Sequence, residues 1–111
     1  MNYYESKDLS KFGEVGKFAS SLMEKFFAYY SEATGAEGAL TKREKALIAL
    51  AVAHAKQCPY CIDAYTTQCL ESGANPEQMT EAVHVAAAME AGMALVHCVQ
   101  MHNALKQKGA I

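Results

Sequence analysis

The sequence predicts an all-α protein, and three observations carry that prediction. Alanine occurs 20 times, whereas valine, isoleucine and threonine together number 14; alanine is the strongest helix former and β-branched residues favour strands. The two prolines, Pro59 and Pro76, both stand at the start of a helical pattern rather than inside one. Between these marks, apolar residues recur at helical spacing. The expected architecture is a single compact bundle of five to six helices joined by short loops.

Each element has its own signal. Val15, Phe18, Ala19, Leu22, Met23, Phe26 and Tyr30 form one stripe. They predict a first helix over about 10–32, closed near Thr34-Gly35. Thr41-Lys-Arg-Glu44 reads as a capping box, which starts a second helix. Its body, Ala46 to Ala53, is apolar on every side, so it is the central, buried helix. Lys56-Gln57-Cys58-Pro59 breaks the pattern, because a residue before proline is pushed out of the helical region. A third helix therefore begins at Cys58 or Pro59 and stops at Gly73. Asn75-Pro76 starts the last helical stretch, about 76–107, with a break expected near Gly92.

Composition excludes several functions. With 111 residues the chain has the size of one domain. Its net charge of −2 offers no basic surface to a phosphate backbone, so nucleic acid is not an expected partner. The longest uninterrupted apolar run, Ala46 to Ala53, is far below the roughly 20 residues that span a bilayer. Met1 to Asp8 lacks the basic start and apolar run of a secretory signal. A cytoplasmic location without membrane attachment is the expectation.

Of the four cysteines, at 58, 61, 69 and 98, Cys58-Pro59-Tyr60-Cys61 has chemistry in its spacing. Two thiols three residues apart at a helix start can close a disulfide with little backbone movement. The first faces free backbone N–H groups and the positive end of the helix dipole, which favours its thiolate. A thiolate attacks peroxides or disulfides, and its neighbour resolves the product. This redox reading is favoured over simple packing and over a metal site. Cys69 and Cys98 are isolated and read as small hydrophobes. The tetrapeptide also occurs in glutaredoxins, but their fold needs a strand before the motif, and here an alanine-rich helix precedes it.

A thiol pair needs a proton acceptor. His54 lies four residues before Cys58 and seven before Cys61, on the same face if the helix were continuous. Tyr65, four residues after Cys61, either donates a hydrogen bond to a nascent alkoxide or packs in the core. Glu44 is a further candidate, although its capping box already explains it. His84, His97 and His102 show no common ligand spacing.

Arg43 to Ala53, Cys58 to Thr66, Glu71-Ser-Gly-Ala74 and Glu81 to Ala87 together resemble the carboxymuconolactone decarboxylase family. The resemblance is strongest to its alkylhydroperoxidase D-like branch, with the peroxidase-like proteins of arsenosugar biosynthesis as the subgroup of similar length. It implies an all-α fold assembled as a homo-oligomer, trimer or hexamer. It also implies reduction of hydroperoxides through the cysteine pair, recharged by a dithiol protein of lipoyl or thioredoxin type. No bound cofactor or metal is implied. The branch makes the second cysteine, Cys61, the attacking thiol, whereas the helix-start argument favours Cys58. Its relay histidine position holds Tyr65 and its relay glutamate position holds Ala46, so neither relay residue is retained; His54 is the available substitute base. Two rival readings are a non-catalytic oligomer whose pair senses redox state or binds metal with His54, and a decarboxylase-like enzyme.

Overall fold

A computed structural model describes residues 4–111. Met1 to Tyr3, part of the stretch read for a secretory signal, lie outside the described residues. Among those described, all regular structure is helical. Six α-helices run in order: α1 (Phe12–Gly16), α2 (Ser20–Gly35), α3 (Lys42–Ala55), α4 (Pro59–Glu71), α5 (Pro76–Val96) and α6 (Cys98–Gln107). Two 3₁₀ segments, Ser6–Lys11 and Lys17–Ala19, flank α1.

The start signals act as the sequence predicts. Thr41 Oγ1 accepts from the Glu44 N–H at 3.1 Å, and the Thr41 N–H donates to the Glu44 carboxylate at 2.8 Å. Asn75 and Gln78 make the same reciprocal pair at the head of α5. Gly73 takes φ +88°, the left-handed stop that releases the chain from α4.

Two boundaries differ from expectation. The first helix is not continuous over 10–32. It breaks at Ala19, whose φ of −148° and ψ of 57° are not helical. The short α1 turns back so closely that a Cβ on Gly16 would lie 2.6 Å from the Met23 side chain. The last stretch breaks at His97 rather than Gly92. A glycine costs a helix only about 1 kcal/mol, and good helix formers on both sides outweigh that. At His97 the ring Nδ1 donates to the Gln100 side chain at 3.2 Å, anchoring the entry to α6.

Helix α3 is the central element, packed on α2, α4 and α5. Ala46, Leu50, Tyr65, Cys69 and Ala74 form the buried cluster, with Tyr30, Leu47, Ala49, Cys61 and Met79 packed around it. The other face of α3 is bare, for Ile48 and Val52 are about half exposed. Lys45 Nζ reaches over to the Glu32 carbonyl at 3.1 Å and ties α2 to α3.

This bundle carries a long arm. The radius of gyration is 19.1 Å, against about 13 Å for a closed globule of this length. The second half of α5 and most of α6 project, leaving Val85, Met89, Met93, Val96, Val99 and Met101 exposed. Taken together across the His97 break, α5 and α6 (Pro76–Gln107) are the one helical stretch among the described residues long and apolar enough to cross a membrane by length and composition, and the stretch is not buried in the chain. Uninterrupted runs missed it because single polar residues, such as His84 and Glu90, divide the apolar segments.

Candidate active site

The chain turns sharply between α3 and α4 to build the site. Gln57 adopts φ 53°, in the left-handed region, directly before Cys58. That turn makes Cys58 the cap of α4, with Pro59 at the first helical position. Its sulfur accepts the Cys61 N–H at 3.4 Å. The two sulfurs are 2.6 Å apart, and both thiols are free and half-buried.

Three cavities open onto Cys61. The largest, about 1100 Å³, has an aromatic wall of Phe12, Phe26, Phe27, Tyr30, Tyr60 and Tyr65. Its roof is a ring cluster, Phe12–Phe27 at 5.4 Å and Phe26–Tyr30 at 5.4 Å between centroids. The second, about 510 Å³, lies under the bare face of α3 and is lined by both cysteines, Tyr30, Tyr65, Ile48 and Val52. The third, about 540 Å³, is closed by the N-terminal segment through Leu9 and Phe12 and also reaches both sulfurs. That segment is held down by Tyr4, whose ring meets Tyr60 edge-on at 4.6 Å and whose hydroxyl donates to Asp63 at 3.2 Å. The thiol pair therefore faces apolar space on more than one side.

The two thiols are not equivalent. Burial and the hydrogen bond to Cys58 push the Cys61 thiol up from 9.0 to about 11. Cys58 instead caps α4, its sulfur accepting the Cys61 N–H. The raised Cys61 value has a consequence for stability. Below pH 9 both folded and unfolded chains keep this proton; above it the unfolded chain releases its proton first. The reduced protein should therefore lose stability as pH rises from about 9 to about 11. Chemical denaturation at stepped pH should show that loss flattened in Cys61→Ser, and equal slopes for the two proteins would contradict it.

The predicted site residues divide into two groups. Cys58, Cys61 and Tyr65 come together. Tyr65 is buried, and its hydroxyl is hydrogen-bonded to that of Tyr30 from α2. His54 points elsewhere: its Nδ1 donates to the Leu50 carbonyl at 2.9 Å, and it lines none of the three cavities at Cys61. The Gln57 turn rotates the register that would have placed it over the sulfurs. Glu44 is occupied in its cap, which holds its carboxyl below the usual range chiefly through the Thr41 backbone N–H. Among the described residues no three His, Cys, Asp or Glu side chains gather closely enough to hold a metal ion, so a Cys58–Cys61–His54 centre is not assembled. Buried Cys69 has its thiol pushed up by desolvation, and Cys98 is exposed on α6.

Tyr30 is the site residue that sequence reasoning missed. In the sequence it is one more position in the first helix's apolar stripe. Nothing in its spacing marks a partner 35 residues away.

Known proteins resemble this chain over most of its length. A protein of Paracoccus denitrificans, described as uncharacterized protein 4 in cox locus, is 46% identical over 85 residues, 77% of this chain and 76% of that protein. The profile of the carboxymuconolactone decarboxylase family matches residues 21–109, a span that holds the capping boxes, the cysteine pair and the tyrosine pair. On that match, the chain belongs to the carboxymuconolactone decarboxylase family.

Proposed function

We propose that the protein is a thiol-dependent peroxidase that reduces organic hydroperoxides through Cys58 and Cys61. The observation that carries this reading is the pair itself: two free sulfurs 2.6 Å apart at a helix start, opening on apolar cavities. Helix capping supports a thiolate on Cys58, and Cys61 borders every cavity of the site. Proton transfer from Cys61 to the Cys58 thiolate exposes a Cys61 thiolate. A thiolate of higher pKa is rarer but intrinsically more nucleophilic. It attacks the terminal peroxide oxygen, the O–O bond breaks, and Cys61 becomes a sulfenic acid while an alkoxide leaves. The Cys58 thiol then displaces hydroxide from that sulfur, giving the disulfide and, with its proton, water. An external dithiol protein returns two electrons and two protons. In this scheme Cys58 takes the role of local base, and His54 is not needed for it.

The test is thiol titration with intact mass. One equivalent of an alkyl hydroperoxide should remove two titratable thiols and two hydrogens together, and a dithiol should restore both. Persistence of both thiols in excess peroxide sinks the reading. The alternative of disulfide reduction uses the same pair and would show turnover with disulfides but not with peroxides.

The proposed assembly is a homo-oligomer, trimer or hexamer, in which copies cover the bare arm of α5 and α6. Isolated apolar surface of that extent is unusual on a monomer. Light scattering in detergent-free buffer should give a multiple of the chain mass. A monomer at micromolar concentration contradicts it.

A further inference from the structure

We propose that the Tyr30–Tyr65 hydroxyl pair supplies the proton to the oxygen that leaves the peroxide, Tyr65 donating it and Tyr30 positioning Tyr65 and holding the charge left behind. The inference rests on the peroxidase reading and assigns to this chain a proton donor that its histidines and Glu44 do not provide.

Three observations support it. Tyr30 and Tyr65 line both cavities in which they meet Cys61, one of about 1100 Å³ and one of about 510 Å³. Their hydroxyls are hydrogen-bonded to each other, so a single proton shift on one oxygen is felt by the other. The surroundings are apolar, with Phe26 5.4 Å from the Tyr30 ring, and a hydrogen bond in such surroundings is electrostatically stronger than one in water. Burial first, then the Tyr65 hydrogen bond, raises the Tyr30 hydroxyl above its ordinary value, and negative charge on either cysteine raises it further. Either hydroxyl can donate in this pair; with Tyr30 donating, the Tyr65 O–H is left for the cavity.

The step balances without another reagent. The Cys61 thiolate takes the terminal oxygen of R–O–O–H, forming Cys61–S–O–H and breaking the O–O bond. The departing RO⁻ takes the Tyr65 proton and becomes ROH. The Tyr65 phenolate, stabilised by the Tyr30 O–H, recovers its proton from solvent.

Leaving-group chemistry tests the assignment. An alkyl hydroperoxide expels an alkoxide, which needs a proton, whereas a peroxyacid expels a carboxylate, which does not. Single-turnover loss of the two thiols is followed by stopped flow with cumene hydroperoxide and with peracetic acid. Tyr65→Phe should slow the alkyl hydroperoxide about 10²-fold, the low end for a general acid, and cost much less with the peroxyacid. Tyr30→Phe should slow it about 10-fold, the loss of one hydrogen bond to a developing charge. The double variant should match Tyr65→Phe alone, because Tyr30 acts through Tyr65. Equal slowing with both oxidants marks a packing role and overturns the proposal, as do multiplicative effects or an unaltered alkyl hydroperoxide rate. Wild-type thiols that survive both oxidants overturn the peroxidase reading itself, which a selective failure of the tyrosine variants does not.

Discussion

Cys61→Ser is expected to abolish hydroperoxide turnover, with a loss on the order of 10³-fold or more, because the variant lacks the sulfur that accepts oxygen. Cys58→Ser should lose turnover just as fully but stop at a different point. With Cys61 still present but its local base gone, peroxide adds a single oxygen more slowly than in the wild type, and the chain then waits as the sulfenic acid for want of a resolving thiol. Serine is a strong helix cap, so the Cys58 variant keeps the start of α4 and its defect is chemical. Intact mass after one turnover separates the two variants. If Cys58→Ser forms no sulfenic acid while Cys61→Ser does, the roles are reversed and the capping sulfur is the one that attacks.

The second large effect concerns stability. Leu50→Ala removes a side chain only 2% exposed, at the meeting of α3 with α4 and α5. Its neighbours in the cluster, Ala46, Tyr65, Cys69 and Ala74, are either small or fixed by hydrogen bonds and cannot collapse into the space. The expected cost is about 2–5 kcal/mol, the range for a buried leucine that leaves a cavity. Denaturant unfolding at fixed protein concentration measures it, since any assembly makes apparent stability concentration-dependent. A cost under about 1 kcal/mol would mean that the cluster is not the core of the subunit. Because Tyr65 belongs to both cluster and site, this variant should also loosen the tyrosine pair.

The fold was legible where local chemistry decides structure. Thr41 with Glu44, Asn75 with Pro76, Pro59 and Gly73 act through their own backbone neighbours, and each boundary they mark is found in place. The cysteine pair was legible for the same reason, since three residues at a helix start suffice to bring two sulfurs together. Distant relations were not. Tyr30 shares its spacing with ordinary core positions, and only the packing of α2 on α3 brings it to Tyr65. His54 would face the sulfurs only in a continuous helical register, which the Gln57 turn cancels. The arm was hidden because an apolar helix without partners in its own chain has the same pattern as one buried in a core.

That turn at Gln57 ties the placement of the two sulfurs to backbone handedness. A non-glycine residue in the left-handed region costs roughly 1–2 kcal/mol, and here it separates α3 from α4 immediately before Cys58. Had the chain continued as one helix, the Cys61 N–H would bond to a backbone carbonyl four residues earlier, and the Cys58 sulfur would lose the donor it now accepts. The contact that distinguishes the two sulfurs, a backbone N–H donated to Cys58, thus depends on a torsion angle of the residue before the pair. A change at position 57 would therefore alter the surroundings of the thiol pair without altering either cysteine.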